Sequence, residues 1–200
     1  MADHQSEVLT IGHSSHAMER FLELLHSAGI TAVADVRSAP YSRHVPQFNY
    51  DPVKTALRGA GLAYVHLGNE LGGRPRDPSQ YRRGVVDYEA IAATPTFRSG
   101  LQRLLDGAAT HRVALMCAEA DPLECHRCLL VARSLAARGV PVQHLLSDGA
   151  KATQAEIEDE LLRRTQRIDD DLFLTRAERV AVAYREQAKR VGFSDPEATS

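Results

Sequence analysis

The sequence predicts an α/β protein: a mainly parallel central sheet of about five strands flanked by helices, with a C-terminal helical extension. Three observations predict it. Short apolar runs alternate with amphipathic runs at helical spacing from residue 8 to residue 146, the rhythm of strands joined by crossover helices. Glycines 29, 61 and 139 stand where the helical runs end and the next apolar runs begin. Beyond Gly149 the pattern changes to two capping-box signatures, Thr153-Gln-Ala-Glu156 and Thr175-Arg-Ala-Glu178, each opening an amphipathic run. The expected division is an α/β core over residues 1–149 and a helical extension over 150–200. The extension is expected to be an appendage on the core or a homodimer contact.

The elements follow in order. Val8-Leu-Thr-Ile-Gly12 reads as a buried strand. Ser15 is placed to cap a helix from His16 to Ala28, in which Met18, Phe21, Leu22, Leu25 and Ala28 share one face. Residues 30–36 form a second strand. A loop with Pro40 and Pro46 leads to a helix with Asp51 as cap and Pro52 in its first turn. Residues 62–67 are a third strand, and residues 68–83, with Gly72, Gly73, Pro75 and Pro78, are irregular. A helix from Pro95 to Leu105 precedes a fourth strand over 111–117. Asp121-Pro-Leu-Glu124 reads as a capping-box variant starting a helix that ends at Gly139. Residues 140–146 are a fifth strand.

Two hundred residues suffice for one sizeable core. A formal charge of −2 argues against a DNA coat or a polybasic membrane binder. No apolar run approaches about 18 residues, so no membrane span is expected. The polar start, Met1-Ala-Asp-His-Gln5, does not read as a signal peptide. An odd, locally clustered set of three cysteines is not a secretory disulfide framework, and the cytoplasm is the expected compartment. Lys54, Lys151 and Lys189 are the only lysines. This bias is either genomic or a sign of planar anions recognised by guanidinium forks.

In parallel sheets, ligands bind beyond the carboxyl ends of the strands. The first strand ends in Gly12-His13-Ser14, the second in Asp35-Val-Arg37, the third in His66, and the fourth in Cys117-Ala-Glu119. Cys125, His126 and Arg127 follow in the first turns of the next predicted helix, where free amides and a cationic neighbour favour a thiolate or hold an anion. Asp35 and Arg37 suit an ion pair that leaves Arg37 to clamp an anion. His13 is either a general base or a structural histidine. Ser42 and Arg43 lie in a constrained loop able to fold over a ligand.

Cys117, Cys125 and Cys128, with His126 or His13, also offer soft ligands for zinc or another metal. A structural zinc site usually shows two ligand pairs, and only one is present. Cys117-Ala-Glu119 with Cys125-x-x-Cys128 is similar to zinc deaminases, but eight residues are too few to place the two halves on separate helices. Cys117 at a strand end with Arg127 ahead of a helix, and Asp35-Val-Arg37, also resemble rhodanese-type and phosphatase-type architecture. The gap of ten residues exceeds their usual short cradle.

Thr10-Ile-Gly-His-Ser14, Asp35-Val-Arg-Ser-Ala-Pro-Tyr-Ser-Arg43, Tyr64-Val-His-Leu67, Leu71-Gly-Gly73 and Met116-Cys-Ala-Glu119 with Cys125-His-Arg127 together resemble the domain-of-unknown-function 488 family over about residues 8 to 149. The resemblance implies a compact α/β domain with a shared polar site and no assigned reaction. It carries over Gly12, His13, Ser14, Asp35, Arg37, Pro40, Ser42, Arg43, His66, Cys117, Glu119, Cys125, His126 and Arg127. Cys128 is outside the family pattern.

The leading expectation is a cysteine-dependent transferase or hydrolase. Cys117, Cys125, His13, Glu119 and Asp35 form its catalytic set. Gly12, Ser14, Arg37, Ser42, Arg43, His66, His126 and Arg127 hold a small phosphorylated, nucleotide-like or carboxylate anion. The alternatives are rhodanese-like sulfur transfer, a non-catalytic nucleotide or nucleic-acid binder, and a metal-binding protein.

Overall fold

The computed structural model describes residues 7–168 and 173–195. The polar start and the Asp169-Asp-Asp171 break between the last two helices lie outside the described residues.

Six strands form the main sheet: β1 (Val8–Gly12), β2 (Ala32–Asp35), β3 (Ala63–His66), β6 (Val113–Cys117), β7 (Val142–Leu145) and β8 (Lys151–Thr153), in the order β3-β2-β6-β1-β7-β8. All neighbours are parallel except β7 and β8. This is the predicted α/β class, with one strand more than expected. The extra strand comes from the segment expected to be wholly helical after residue 149. Gly149 (φ +97°) turns the chain back, so that residues 151–153 pair with β7 before Thr153 caps the next helix.

Burial on both faces makes the central strands continuous apolar runs. Their side chains still alternate between two cores. Leu9, Ile11, Val33, Ala114 and Met116 face α1 (Met18–Ser27), α2 (Tyr50–Gly59) and the 3₁₀ turn Pro46–Phe48 before it, where Phe21, Leu25, Leu57 and Phe48 are buried. Val8, Ala34, Val113, Leu115 and Cys117 face α5 (Pro95–Ala108) and the helix after Cys125. That second core also takes Ile157 and Leu161 from α7 (Gln154–Arg164), and Val180, Ala183 and Tyr184 from α8 (Arg176–Val191).

Several local readings change. Ser15 does not cap α1: the β1 ladder runs on through the amides of His13 and Ser14, so the chain turns at 14–15 and the helix begins at Met18. Asp51 lies inside α2 because the helix opens one turn position earlier, after Asn49. Residues 68–83 contain a short helix α3 (Gly68–Leu71) and the first strand of a hairpin, β4 (Tyr81–Arg82), which pairs with β5 (Val85–Val86). A helix α4 (Tyr88–Ala92), capped by Asp87, was not foreseen.

The change nearest the chemistry is at residues 121–132. Asp121 caps only a single 3₁₀ turn, Pro122–Glu124. Glu124 does not reach back to close a capping box; it instead accepts from Gln187 and Arg190 of α8. Cys125 then takes an extended conformation (φ −140°, ψ 139°), and the helical path resumes as a π-helix over Arg127–Ala132, continuing into α6 (Arg133–Ala136). π-Helical turns are rare and concentrate at functional sites.

Candidate functional site

The parallel registers bring the strand ends level. Gly12 pairs with Cys117, Asp35 with Met116, and Asp35 with His66. The chemistry-bearing residues beyond β1, β2, β3 and β6 therefore share one edge of the sheet.

At its centre are Cys117, Cys125 and His126. Cys117 Sγ lies 3.6 Å and Cys125 Sγ 3.9 Å from His126 Nδ1. The three donor atoms all lie within 4.8 Å of one another. The extended backbone at Cys125 turns its sulfur onto the start of the helix, where it accepts the amide of Arg127 at 3.4 Å. On the far side of the imidazole, Nε2 donates to the carbonyl of Val36 at 2.9 Å. Nδ1 is then an acceptor in the neutral ring, and a donor only in the imidazolium. Cys117 donates to Glu119 Oε2 at 3.2 Å.

The electrostatics separate the two sulfurs. Burial pushes the Cys117 thiol well above the ordinary range, and the neighbouring Cys125 and Glu119 charges add to this. Burial also opposes ionisation of Cys125. There it is outweighed by the adjacent Cys117 thiol, the Arg127 charge and the His126 imidazole, so the Cys125 thiol lies well below its ordinary value. His126 is raised: burial disfavours its charge, but the hydrogen bond and charge of Cys125 more than compensate. Glu119 stands at the rim with its outer side exposed; desolvation by the surrounding protein and repulsion from Cys125 raise its carboxyl. The shifts run in opposite senses, Cys125 toward the thiolate, His126 toward the imidazolium and Cys117 toward the neutral thiol.

A second cluster flanks this pair. Arg37 Nε and Nη2 donate to the two oxygens of Asp35 at 2.9 and 2.7 Å, and Tyr64 donates its hydroxyl to the same carboxylate at 2.9 Å. Both members of the ion pair are buried. Arg37 Nη1 donates to His13 Nε2 at 3.0 Å, while His13 Nδ1 donates to the carbonyl of Ser14 at 2.8 Å. Burial, with the Arg37 charge adding to it, lowers His13 to about 4, so the ring is neutral. It stacks on Phe48 at 4.3 Å. His66 donates to the carbonyl of Arg37 at 2.9 Å. Arg37 is thus aimed by three neighbours and keeps N–H groups for a ligand.

Other expected residues have different placements. Arg127 is fully buried and does not line the cavity; its guanidinium donates to the carbonyls of Glu119 and Ala120, and its Nε has no hydrogen-bond partner. It fixes the loop after β6. Gly12 lies against that loop: a Cβ there would sit 1.8 Å from the Glu119 carbonyl oxygen. Ser14 adopts a left-handed conformation (φ 48°). Ser42 organises its own loop, its amide bonding Asn49 and its hydroxyl accepting from the amides of His44 and Val45, and Arg43 is exposed. Neither lines the cavity with the cysteines. Cys128 is fully buried in the core, where burial raises its thiol, and stands apart from the donor cluster.

A cavity of about 140 Å³ opens onto the cysteines, with Arg37, Glu119 and His126 in its wall. Sequence reasoning missed four wall residues as parts of the site: Tyr88, Glu124, Val191 and Phe193. Phe193 follows α8, and its carbonyl accepts the amide of Val86. Arg74 lies over the Phe193 ring at 4.8 Å. No local signal marks Tyr88, Val191 and Phe193, because α4 and the C-terminal segment reach the site only through the tertiary fold.

A family model described as "Domain of unknown function DUF488" matches residues 17–134, more than half of the chain. The match begins after Gly12, His13 and Ser14 and ends before α7 and α8. No curated protein and no solved structure matches the chain significantly.

Proposed function

The chain belongs to the DUF488 family, and from that premise and the geometry of the site we propose that it is a cysteine-dependent enzyme acting on a small anionic substrate. Cys125 is the nucleophile. The observation that carries this reading is the setting of its sulfur: it accepts the Arg127 amide, lies against His126 and Cys117, and faces a cavity walled by Arg37 and Arg74. A thiolate is the reactive form of cysteine, and amides, imidazolium and guanidinium all favour it.

In this reading the free N–H groups of Arg37, and Arg74 at the mouth, hold a carboxylate or phosphoryl group of the substrate. The Cys125 thiolate attacks the electrophilic centre, and the His126 imidazolium supplies the proton to the leaving group. Asp35 and His13 position Arg37. The Nε2 lone pair of His13 is already engaged, so it has no general-base role here. The test is alkylation by iodoacetate against pH, with peptide mapping. Cys125 is expected to react selectively, with a midpoint below the ordinary thiol range. Ordinary midpoints at both Cys117 and Cys125 would overturn the reading.

One observation favours a second reading. The spacing of Cys117 Sγ, Cys125 Sγ and His126 Nδ1 suits three ligands of a divalent metal such as zinc. The Nε2–H bond to Val36 is of the kind that orients a ligand histidine. A metal held there would supply Lewis acidity, with Glu119 placed to move a proton. Elemental analysis of protein purified without chelator separates the two. Stoichiometric metal that Cys125→Ser abolishes supports this second reading, and sub-stoichiometric metal removes it.

A further inference from the structure

We propose that Cys117 and Cys125 act together as a dithiol that exchanges with the disulfide bond of a small anionic molecule, Cys125 attacking and Cys117 resolving. The inference rests on the thiolate reading above and names its substrate class.

Three observations carry it. The second sulfur is not remote: Cys117 Sγ and Cys125 Sγ lie within 4.8 Å of each other and share the cavity wall. A nucleophile working alone needs no second thiol in its pocket. Cys117 also has a proton acceptor of its own, Glu119 Oε2 at 3.2 Å, in addition to the His126 ring that both sulfurs approach. Finally, the two residues are only 3% and 2% exposed, and the cavity is about 140 Å³. A protein disulfide does not reach sulfurs so enclosed; the end of a small molecule does. Arg37 and Arg74 share the wall with Glu119 and Glu124, but Glu119 accepts from Cys117 and Glu124 from Arg190, so the arginines favour a molecule that carries negative charge near its sulfur.

The exchange balances as follows. The Cys125 thiolate attacks one sulfur of RS–SR. The S–S bond breaks, Cys125–S–S–R forms, and RS⁻ leaves with the proton of the His126 imidazolium. Cys117 gives its proton to Glu119 and attacks Cys125 Sγ. The mixed disulfide breaks, the Cys117–Cys125 disulfide forms, and the second RS⁻ leaves, taking up the proton held by Glu119. The protein loses two electrons and two protons, and RSSR becomes two RSH. The reverse sequence oxidises the anionic thiol.

The experiment treats the full-length reduced protein with 3,3′-dithiodipropionate, and follows it by intact mass and peptide mapping. The wild type is expected to release two equivalents of 3-mercaptopropionate and to end two hydrogens lighter, with Cys117 joined to Cys125. Cys117→Ser, and Cys117→Ala should the serine variant fail to fold, are expected to stop at a mixed disulfide on Cys125. The cationic disulfide cystamine is expected to react roughly tenfold more slowly with the wild type, and Arg74→Ala to narrow that difference.

A wild type that stops at the mixed disulfide, or a bridge from Cys125 to Cys128, overturns the dithiol while leaving the thiolate reading intact. No reaction of Cys125 with either the disulfide or iodoacetate removes both. Cystamine reacting as fast as the anionic disulfide overturns the substrate class.

Discussion

His126 donates its Nε2–H to the carbonyl of Val36 at 2.9 Å, a bond between the residue after Cys125 and the loop beyond β2. It fixes the tautomer, so the ring meets the two sulfurs with Nδ1. A neutral ring offers them a lone pair, and a charged ring offers them a proton. The orientation of one imidazole therefore links the loop beyond β2 to the two sulfurs and, with Cys117 and Arg127, lowers the Cys125 thiol.

His126→Gln tests that coupling. Removing the cation leaves Arg127 and the helix amides to hold the thiolate against burial. The Cys125 pKa should rise, which lowers the thiolate fraction at any pH below the midpoint. Iodoacetamide alkylation rates at pH 6 to 9 measure it. An unchanged profile would show that His126 does not control the thiolate.

Acid stability follows from the two lowered histidines. His13 and His144 both titrate at about 4 because burial disfavours their charged forms. His144 is fully enclosed between Thr10 and Gln154. In the unfolded chain each titrates near 6.5, so below that pH the unfolded state binds protons that the folded state refuses. Stability present above pH 6.5 is therefore lost as the pH falls to 4, and these groups contribute no further slope below that. The loss is of the order of 3 kcal/mol for each. Urea midpoints at pH 7, 5.5 and 4.5 should fall in that order, and His144→Gln should remove its share of the slope.

Asp35→Asn tests the positioning of Arg37. It removes the charge partner and leaves a buried guanidinium poorly compensated, a loss expected to cost about 3 to 5 kcal/mol. Any folded fraction should also lose the preference of Cys125 for iodoacetate over iodoacetamide, because Arg37 is no longer aimed. Denaturation midpoints and the ratio of the two alkylation rates check both effects. Asp35→Glu should restore part of each.

The sheet, and the gathering of the candidate site's residues at one sheet edge, were legible in the sequence, because continuous apolar strands and the residues just beyond them are local patterns. Gly12, His13, Asp35, Arg37, His66, Cys117 and Glu119 all follow from reading strand ends. The role of each group was less legible. Arg127 looks like a free anion clamp in sequence, yet it is buried and two carbonyls of the loop after β6 take its terminal nitrogens. His13 looks like a base until Arg37 occupies its lone pair. The extended kink at Cys125 hid behind an apparent capping box, because what diverts Glu124 is α8, more than sixty residues further on. Partners that distant leave no periodic trace.

The same distant partner yields the last prediction. Gln187 of α8 donates to the carbonyl of Leu123 at 2.8 Å and to Glu124 Oε1 at 3.2 Å, and Arg190 donates to Glu124 Oε1 at 2.6 Å. Arg164 of α7 holds Asp121 at 2.6 Å. The C-terminal helices thus grip both ends of the 3₁₀ turn that delivers Cys125. Gln187 is 3% exposed, so Gln187→Leu keeps most of its volume and removes its donors. The Leu123 carbonyl then loses a buried partner, worth about 1 to 3 kcal/mol. If the grip positions the thiol, Cys125 alkylation should slow several-fold at a pH where the protein is fully folded, while Cys128 stays unreactive. Arg190→Ala acts on the exposed rim and should change stability by less than about 1 kcal/mol. A Gln187→Leu protein that loses stability but keeps the wild-type alkylation rate would reduce the helices to packing alone.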